Sequence, residues 1–327
     1  MKKRTKNDNQ NQLNSSNHIQ VSIVIPTYNR KEMLLKLIES ITNSNIANDK
    51  LEIIIIDDLS EDDTSQTVAK KFGKIVKIIR NSKKLNVSAS RNIGIRKSIG
   101  KYILILDDDN VLDKKCISNL LNFMNEDTQS IYGIIAPIMF YYDNPKMVWC
   151  AGIERNMYTS FTTFIWRNKI WDNSKQLIAS KDFPNAFMIR REALERVDLM
   201  NEKTFPIHYE EADFGERVRL TGYKIACVTS AKLWHKIPSP HFETDRSRLY
   251  HCHNKKRAYY SGRNRIIFHK KYSTIIQFII YLLIFNQIVV LYYTWIIISS
   301  PKPLLLRLSI EKSYLVGILN GYFGEVI

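Results

Sequence analysis

Short apolar runs that end at polar or acidic residues alternate with amphipathic stretches between residues 21 and 110. Val21–Ile25 and Leu51–Ile56 are apolar almost throughout and rich in β-branched residues, a pattern typical of parallel strands covered on both faces. Lys74–Ile79 and Tyr102–Leu106 repeat the pattern, with helical spacing of apolar residues between the runs. This alternation predicts a doubly wound α/β domain built on a parallel sheet.

The predicted helices carry start signals of their own. Asn29, followed three residues later by Glu32, predicts a capping box, and Ser60 is placed to cap the second helix. A further helix is predicted over Val87–Ile99. The first helix should bury an apolar face made of Leu34, Ile38 and Ile41.

Acidic residues follow two of the predicted strands directly. Asp57 and Asp58 end the second strand, and the triplet Asp107–Asp109 ends the fourth. Ligands bind beyond the carboxyl ends of strands in such sheets, where Asp58 could accept a hydrogen bond from a ribose or a base. Carboxylates one residue apart can reach one Mg²⁺ or Mn²⁺ ion, although acids after strands are also common in plain solvated loops.

Residues 111–240 show a mixed pattern with many aromatic residues. Helical spacing returns at Arg191–Val197 and Glu210–Thr221, and a short strand is predicted at Lys224–Val228, ahead of His235. A carboxylate pair such as Glu210-Glu211 can supply a general base. It also fits the ordinary preference for acids in the first turn of a helix. We interpret residues 111–245 as the second half of one continuous domain, whose first half is 21–110.

The C-terminal part is strongly divided in character. Residues 246–271 hold nine Lys or Arg and no acid, whereas Ser273–Ser299 contains no charge. The uncharged segment is long enough to cross a bilayer core of about 30 Å. A re-entrant hairpin, a helix on the membrane surface and a buried core helix are alternatives. By the positive-inside rule, we expect the basic residues before the uncharged segment, and with them the α/β domain, to lie on the cytoplasmic face.

These patterns divide the chain into successive parts. A polar arm at 1–20, without the apolar stretch of a signal peptide, is predicted to be disordered. The α/β domain covers 21–245, a basic juxtamembrane segment 246–272, a transmembrane or membrane-embedded segment 273–299, and a tail 300–327.

The composition restricts the classes of partner. The 48 Lys and Arg against 32 Asp and Glu give a net charge of +16, which favours polyanions such as nucleic acid, anionic lipid or phosphorylated substrates. Because the charge is concentrated beside the apolar segment and no aromatic–basic RNA motif is present, we expect no nucleic-acid partner. The sequence contains no GxxxxGK loop, which disfavours an NTPase, and no GxGxxG motif after the first strand, which disfavours a dehydrogenase.

The order of the motifs resembles the family-two inverting glycosyltransferases of the GT-A fold, a Rossmann-like nucleotide-diphospho-sugar transferase fold. The resemblance covers roughly residues 20 to 270 and is specific only in combination. It rests on VSIVIPTYNR (21–30), IIIIDDLSEDDT (53–64), SASRNIGIRKSIGKYILILDDDN (88–110), HYEEADFGERVRLTGYKI (208–225), LWH (233–235) and YYSGRNRIIF (259–268).

The resemblance implies a donor site with a divalent metal, Mg²⁺ or Mn²⁺. Asp107 and Asp109 would form the metal-binding acid pair, and His235 would join the metal or the diphosphate. Arg263 would close over the leaving group. The nucleotide pocket would be lined by Pro26, Thr27, Tyr28 and Asp58, with Arg91 near the donor.

The resemblance also implies the catalytic base. Glu211 falls at the position of the base, where Asp is the commoner residue, so the choice between Glu210 and Glu211 stays open. Asp213 would support the acceptor site. Residues 21–110 would form the nucleotide-binding half of the domain and residues 111–245 the acceptor half.

The expected function is transfer of a sugar, with inversion, from a nucleotide-diphosphate sugar to an acceptor hydroxyl, with a lipid-linked glycan as the favoured acceptor. The alternatives are a processive polysaccharide synthase, whose QxxRW segment and several spans are not found here, and a non-catalytic membrane-associated protein that binds nucleotide sugars.

Overall fold

The computed structural model describes residues 19–239 and 245–324. The predicted polar arm lies outside them, except for its last two residues. Four strands form the expected parallel core of the sheet, and Val21 lies opposite Leu51 in its register. These strands are β1 (Val21–Thr27), β2 (Leu51–Asp57), β3 (Val76–Arg80) and β4 (Tyr102–Leu106).

Helices cover both faces of this sheet, as the sequence predicts. The predicted apolar face of the first helix is buried. The third helix packs closely because Gly94 faces the side chain of Val24, where a Cβ atom would approach to 2.3 Å. The helices are α1 (Lys31–Thr42), α2 (Thr64–Phe72), α3 (Val87–Lys97) and, after β5 (Asn110–Leu112), α4 (Cys116–Glu126).

The two predicted helix caps do not form. The Asn29 side chain instead accepts a hydrogen bond from the Glu61 amide at 2.7 Å. The Ser60 hydroxyl accepts one from the Asn29 amide at 2.9 Å. Neighbouring parallel strands end at the same edge of the sheet, so the loops after β1 and β2 lie side by side and supply hydrogen-bond donors to these side chains. Both residues therefore join the two loops rather than starting helices.

The second half extends the same sheet rather than forming a separate layer. The further strands are β6 (Tyr132–Tyr141), β7 (Val148–Cys150), β8 (Ile153–Arg155), β9 (Thr162–Phe164), β10 (Leu177–Ser180), β11 (Ala186–Arg190) and β12 (Lys224–His235). In the described residues one mixed ten-stranded sheet has the order β10-β12-β6-β11-β4-β1-β2-β3, with β5 on β12 and β7 on β6, whereas β8 and β9 pair in a sheet of their own. β11 is antiparallel to β4, whereas β6 and β12 are parallel to each other.

β12 is longer than the predicted strand at Lys224–Val228. A register shift between Val228 and Lys232 lets it continue beside β6 to His235. His235 is therefore the last residue of a strand and not part of a following loop. Two helices flank this half of the sheet: α5 (Arg191–Val197) and α6 (Glu210–Leu220).

The C-terminal residues form a layer of helices, which we call the helical layer. A π-helical stretch, Tyr281–Phe285, joins its second and third helices into one rod. This rod, Ile275–Ile298, is long and apolar enough to cross a membrane by length and composition. After α7 (Arg246–Leu249), the layer consists of α8 (Lys255–Tyr272), α9 (Ile275–Ile280), α10 (Asn286–Ile298) and α11 (Leu304–Phe323).

Candidate active site

The candidate site lies beyond the carboxyl ends of β1, β2 and β4. The acidic triplet Asp107–Asp109 follows β4, and the Asp107 amide donates to the Asn185 carbonyl at 3.0 Å. His235 lies opposite Asn110 in the antiparallel pairing of β12 with β5. This pairing brings the end of a strand from the second half against the acidic turn of the first half.

Asp109 and His235 are in contact. The His235 Nε2 atom lies 3.3 Å from Asp109 Oδ1 and 3.0 Å from Asn185 Nδ2. The His235 ring is buried against Trp149, with ring centroids 4.4 Å apart. The Asp109 Oδ1 atom has no hydrogen-bond partner among the described residues. A carboxylate oxygen and an imidazole nitrogen are thus held side by side at the cleft.

This pair fits a divalent ion. Two adjacent ligands, each about 2.1 Å from one ion, lie about 3 Å apart, close to the observed separation. Asp107 does not complete the site by itself, because its Oδ1 atom accepts from Arg91. In the described residues no group of three or more His, Cys, Asp or Glu gathers around one point. The protein therefore offers a partial site of the kind that Mg²⁺ shares with substrate phosphates.

Arg30 faces the acidic triplet from the loop after β1. Its Nη1 atom lies 3.1 Å from Asp108 and 2.7 Å from Asp109. Burial raises the pKa of Asp108 to about 7, although Arg30 opposes the shift. Burial would also raise the pKa of Asp109, but His235 and Arg30 outweigh it and hold that pKa below its usual range. Asp109 therefore stays ionised and available to a cation.

Arg91 connects the acidic triplet to the predicted catalytic glutamates. Its guanidinium is buried on α3, with Nη2 2.7 Å from Asp107 Oδ1 and 2.9 Å from Glu211 Oε1. Nη1 is 3.9 Å from Glu210. One cation thus holds carboxylates from the ends of β4 and the start of α6 together.

Glu210 and Glu211 differ in their access to the cleft. The Glu210 side chain is buried and its Oε2 atom has no partner among the described residues. The Glu211 side chain is 24% exposed. Burial raises the pKa of both carboxyls. The pKa of Glu211 lies well above its usual value, although Arg91 opposes the shift. Exposure favours Glu211 as the group that can reach a substrate.

The predicted nucleotide pocket lies along β1 and β2. Thr27 is buried and donates to Asp108 Oδ2 at 2.7 Å. Asp58 accepts from the Leu85 and Asn86 amides at 2.8 and 3.0 Å, so it shapes the loop before α3. Pro26 is buried within β1, and Tyr28 is at the rim, where the amine of Lys84 lies 3.1 Å from its ring centroid.

Two predicted site residues lie apart from this cluster. Arg263 Nη1 donates to the Thr204 carbonyl at 2.7 Å, on the helical layer's side of the domain. Asp213 is fully buried and accepts from Arg217, Lys271 and the Tyr272 hydroxyl at 2.6 to 2.9 Å. In this structure Arg263 contacts the Thr204 carbonyl and not the acidic triplet, and the Asp213 oxygens are engaged with the C-terminal end of α8. Both contacts hold α8 against the domain.

Basic residues that the sequence argument did not select surround the cleft. Arg30 belongs to the first motif, and Lys256 and Arg257 to the basic segment. Lys256 contacts the Asn86 side chain. Burial lowers the pKa of Arg257, and the charges of Glu210 and Asp107 oppose this shift. A signal for Arg30 was available, because it follows a strand end that faces the acidic triplet in a parallel sheet. No local signal distinguishes Arg257 from its basic neighbours.

The mixed sheet, with an acidic cluster beyond its strands, has the GT-A fold of glycosyltransferases. The chain belongs to glycosyl transferase family 2, whose family model matches residues 22–198.

Solved structures share this fold at low sequence identity. Mannosyltransferase PcManGT from Pyrobaculum calidifontis, in complex with GDP-Man and Mn²⁺, matches with a TM-score of 0.58 and 12% identity, over 94% of this chain and 88% of that one. A crystal structure of S. aureus TarS in complex with UDP-GlcNAc gives a TM-score of 0.54 and 14% identity, over 93% and 73%.

A relative in Campylobacter jejuni subsp. jejuni serotype O:2 is a GalNAc(5)-diNAcBac-PP-undecaprenol beta-1,3-glucosyltransferase. It is 30% identical over 195 residues, which make up 58% of this chain and 62% of that enzyme. The chain therefore matches less than two thirds of this relative's length.

Proposed function

We propose that this protein is an inverting glycosyltransferase that moves a sugar from a nucleotide-diphosphate donor to an acceptor hydroxyl. The observation that carries the proposal is the position of Arg91 between Asp107 and Glu211, at 2.7 and 2.9 Å. Through this residue a donor-side acid and a candidate base form one cluster at the cleft. A reaction that joins a diphosphate leaving group to an attacking hydroxyl needs both groups in one place.

On the donor side, Asp109 and His235 would hold a divalent ion, with Asp107 as the third candidate ligand. When bound, Mg²⁺ or Mn²⁺ supplies positive charge that stabilises a departing diphosphate. Mn²⁺ in the PcManGT complex supports this part of the proposal. Arg30, which pairs with Asp108 and Asp109, adds a second positive charge for the same phosphates.

On the acceptor side, Glu211 takes the proton of the attacking hydroxyl. A carboxylate whose pKa is raised by burial is a stronger base than an exposed one. The oxygen then attacks the anomeric carbon from the face opposite the leaving diphosphate, and a single displacement inverts the configuration. Arg91 opposes the rise in the pKa of Glu211 and so favours the ionised form that the base needs.

The favoured acceptor is a lipid-linked glycan at a membrane, with the catalytic domain on the cytoplasmic face. The Campylobacter relative is a glucosyltransferase named for an undecaprenol-linked substrate. The apolar rod Ile275–Ile298 and the basic residues before it provide the membrane side of this proposal.

The test is turnover of a panel of UDP- and GDP-sugars, with and without Mn²⁺, by the full chain and by variants. Glu211→Gln should lower kcat at least about a hundredfold with donor affinity little changed, since general bases contribute that much. Glu126→Gln, on the exposed end of α4, is the matched control and should behave as the native chain. If Glu210→Gln has the large effect and Glu211→Gln does not, the base is Glu210.

A further inference from the structure

The rod formed by α9, the π-helical stretch and α10 leaves one apolar face uncovered. Its exposed side chains recur at helical spacing, and Leu291 is 70% exposed. Large contiguous apolar surfaces on a folded protein mark contact sites. The face consists of Ile276, Ile279, Leu283, Ile284, Ile288, Leu291 and Trp295.

α11 carries a second exposed apolar face. Leu305 is 82% exposed and begins a row that continues through Leu308, Leu315 and Leu319 to Phe323. The opposite side of the helix is buried against α8, where Gly317 is so close that a Cβ atom would lie 2.1 Å from the Tyr259 carbonyl oxygen. The exposed rows of the rod and of α11 therefore point away from the shared interior of the layer.

The charges around these faces are basic. In the described part of the chain after residue 273, Lys302, Arg307 and Lys312 are the cations, and Glu311 is the one acid. Glu311 is buried and accepts from the Thr294 hydroxyl at 2.7 Å. Lys302 is paired with Asp245. The exposed cations include Lys312, which lies within the row of α11, and Arg246, which lies 5.3 Å from the Trp295 ring of the rod. Apolar rows with cations and an exposed Trp among them fit an anionic phospholipid surface.

α8 is bound to the catalytic domain along its whole length. Lys256 contacts Asn86 near one end, Asn264 donates to the His208 carbonyl at 2.9 Å in the middle, and Lys271 reaches Asp213 near the other end. From Lys256 to Lys271 the helix is about 22 Å long. The catalytic domain therefore lies beside α8 and not beyond one of its ends.

The other helices run along the same direction. In α11, Gly317 lies on Tyr259 and Gly321 on Arg263, so α11 and α8 are parallel. The Tyr293 and Tyr314 rings stack at 5.5 Å and Thr294 meets Glu311, so α10 runs antiparallel to α11. A rod that crossed a bilayer in this arrangement would bring α8 and its polar domain contacts to the depth of the hydrocarbon core.

We propose that the helical layer lies in the plane of an anionic bilayer surface, with the two apolar rows dipping into the acyl region, and that the rod does not cross the membrane. The buried carboxylate of Asp213 and its partly exposed partners Arg217 and Lys271 then stay at the level of the aqueous domain. The inference deepens the membrane part of the proposed function and does not depend on the reaction.

The test measures depth along the rod in the full-length chain bound to vesicles of phosphatidylglycerol and phosphatidylethanolamine. Single substitutions Ile276→Cys, Leu283→Cys, Leu291→Cys and Trp295→Cys are labelled with NBD, and the four native cysteines are buried. Ile276 and Trp295 are about 28 Å apart along the rod. An in-plane rod predicts stronger quenching at all four positions by lipids spin-labelled near the headgroup than by lipids labelled near the chain end.

A spanning rod predicts a different profile, with the deep quencher stronger at Leu283 and Leu291 and the shallow one at Ile276 and Trp295. That profile would overturn the proposal. No lipid quenching at any position, together with a dimer by light scattering, would assign the apolar rows to a second copy of the chain and would overturn it as well.

A second measurement uses charge on the rows. Leu291→Asp combined with Leu305→Asp should weaken vesicle binding at least tenfold while Tm and turnover of a water-soluble acceptor analogue stay unchanged. Leu220→Asp, at a side chain equally exposed on α6 of the catalytic domain, is the matched control and should bind as the native chain. Unchanged vesicle binding by the double variant would contradict this proposal. A native chain that shows no turnover would instead contradict the proposed reaction.

Discussion

Arg91 shows how one side chain can order several others. Its planar guanidinium offers five donors, which lets it meet Asp107 and Glu211 with a single nitrogen and approach Glu210 with another. Lysine has a point charge and cannot present the same fork. At this scale the position of the candidate base depends on a residue from a different helix.

Arg91→Lys should therefore move the pH dependence of the reaction. Burial raises the pKa of Glu211 and Arg91 opposes it, so a weaker cation lets that pKa rise further. Since the base must be ionised, the acidic limb of kcat/KM should move to higher pH, with at least a tenfold loss at neutral pH. Arg96→Lys on the exposed side of α3 is the control. A limb that stays in place would separate Arg91 from the base.

Asp109→Ala should remove metal binding without unfolding the domain. Asp109 lies in a turn at the end of β4, and its side chain contacts Arg30 and His235 rather than the apolar core. Calorimetric titration of Mn²⁺ in the presence of UDP should show at least a tenfold loss of affinity. Asp113→Ala, on the next loop and close in sequence, should bind Mn²⁺ as the native chain. Equal affinity in the two variants would place the ion elsewhere.

At the scale of elements, α6 and α8 are joined by a buried charge cluster. Asp213 on α6 is fully buried and meets Arg217 of its own helix and Lys271 of α8. The Tyr272 hydroxyl completes the contact at 2.6 Å. This arrangement ties the C-terminal end of α8 to α6, the helix that begins with the two candidate bases.

Asp213→Asn should lower stability more than it lowers turnover. Loss of the charge leaves Arg217 and Lys271 without their anion, at a cost of about 1–3 kcal/mol in the free energy of unfolding. Urea unfolding measures this loss, and kcat on a soluble acceptor analogue should stay within about threefold. A large fall in kcat at unchanged stability would support the role in the acceptor site that the sequence resemblance implies. Glu216→Gln, whose carboxylate pairs with Arg219, is the control.

At the scale of the whole molecule, charge and apolar surface act together. In the proposed membrane association, the net charge of +16 would draw the chain to anionic surfaces, and the exposed rows of the helical layer would give it apolar contact once there. Salt weakens the electrostatic attraction, since the screening length is about 10 Å at 0.1 M salt. It leaves the apolar contact largely intact.

Sedimentation with anionic vesicles should therefore fall, but not vanish, as NaCl is raised from 0.05 to about 1 M, where the screening length is about 3 Å. The same chain should bind neutral vesicles weakly at both salt concentrations. Complete release by salt would show that charge alone holds the chain to the membrane, and salt-independent binding would show that charge has no part in it.

The sequence by itself determined the local features of this protein. The period of β1, β2 and β4 follows from runs of apolar residues, and the ends of β2 and β4 follow from the acids that close them, whereas β1 continues two residues beyond its predicted end at Ile25. The same motifs predicted the family that the comparisons confirm. These signals are short-range, because strand period and helix spacing depend on neighbours in the chain. The length of the apolar segment at 273–299 could likewise be determined from the sequence.

Only the tertiary structure decided which of these residues meet. Asn29 and Ser60 look like helix caps in sequence, yet parallel strands bring their loops together. The Ser60 hydroxyl accepts from the Asn29 amide, and the Asn29 side chain accepts from the Glu61 amide. Arg263 was expected at the diphosphate, but α8 packs so that it donates to the Thr204 carbonyl. Such pairings arise between segments far apart in the chain, where charge and polarity leave many partners possible and packing selects one.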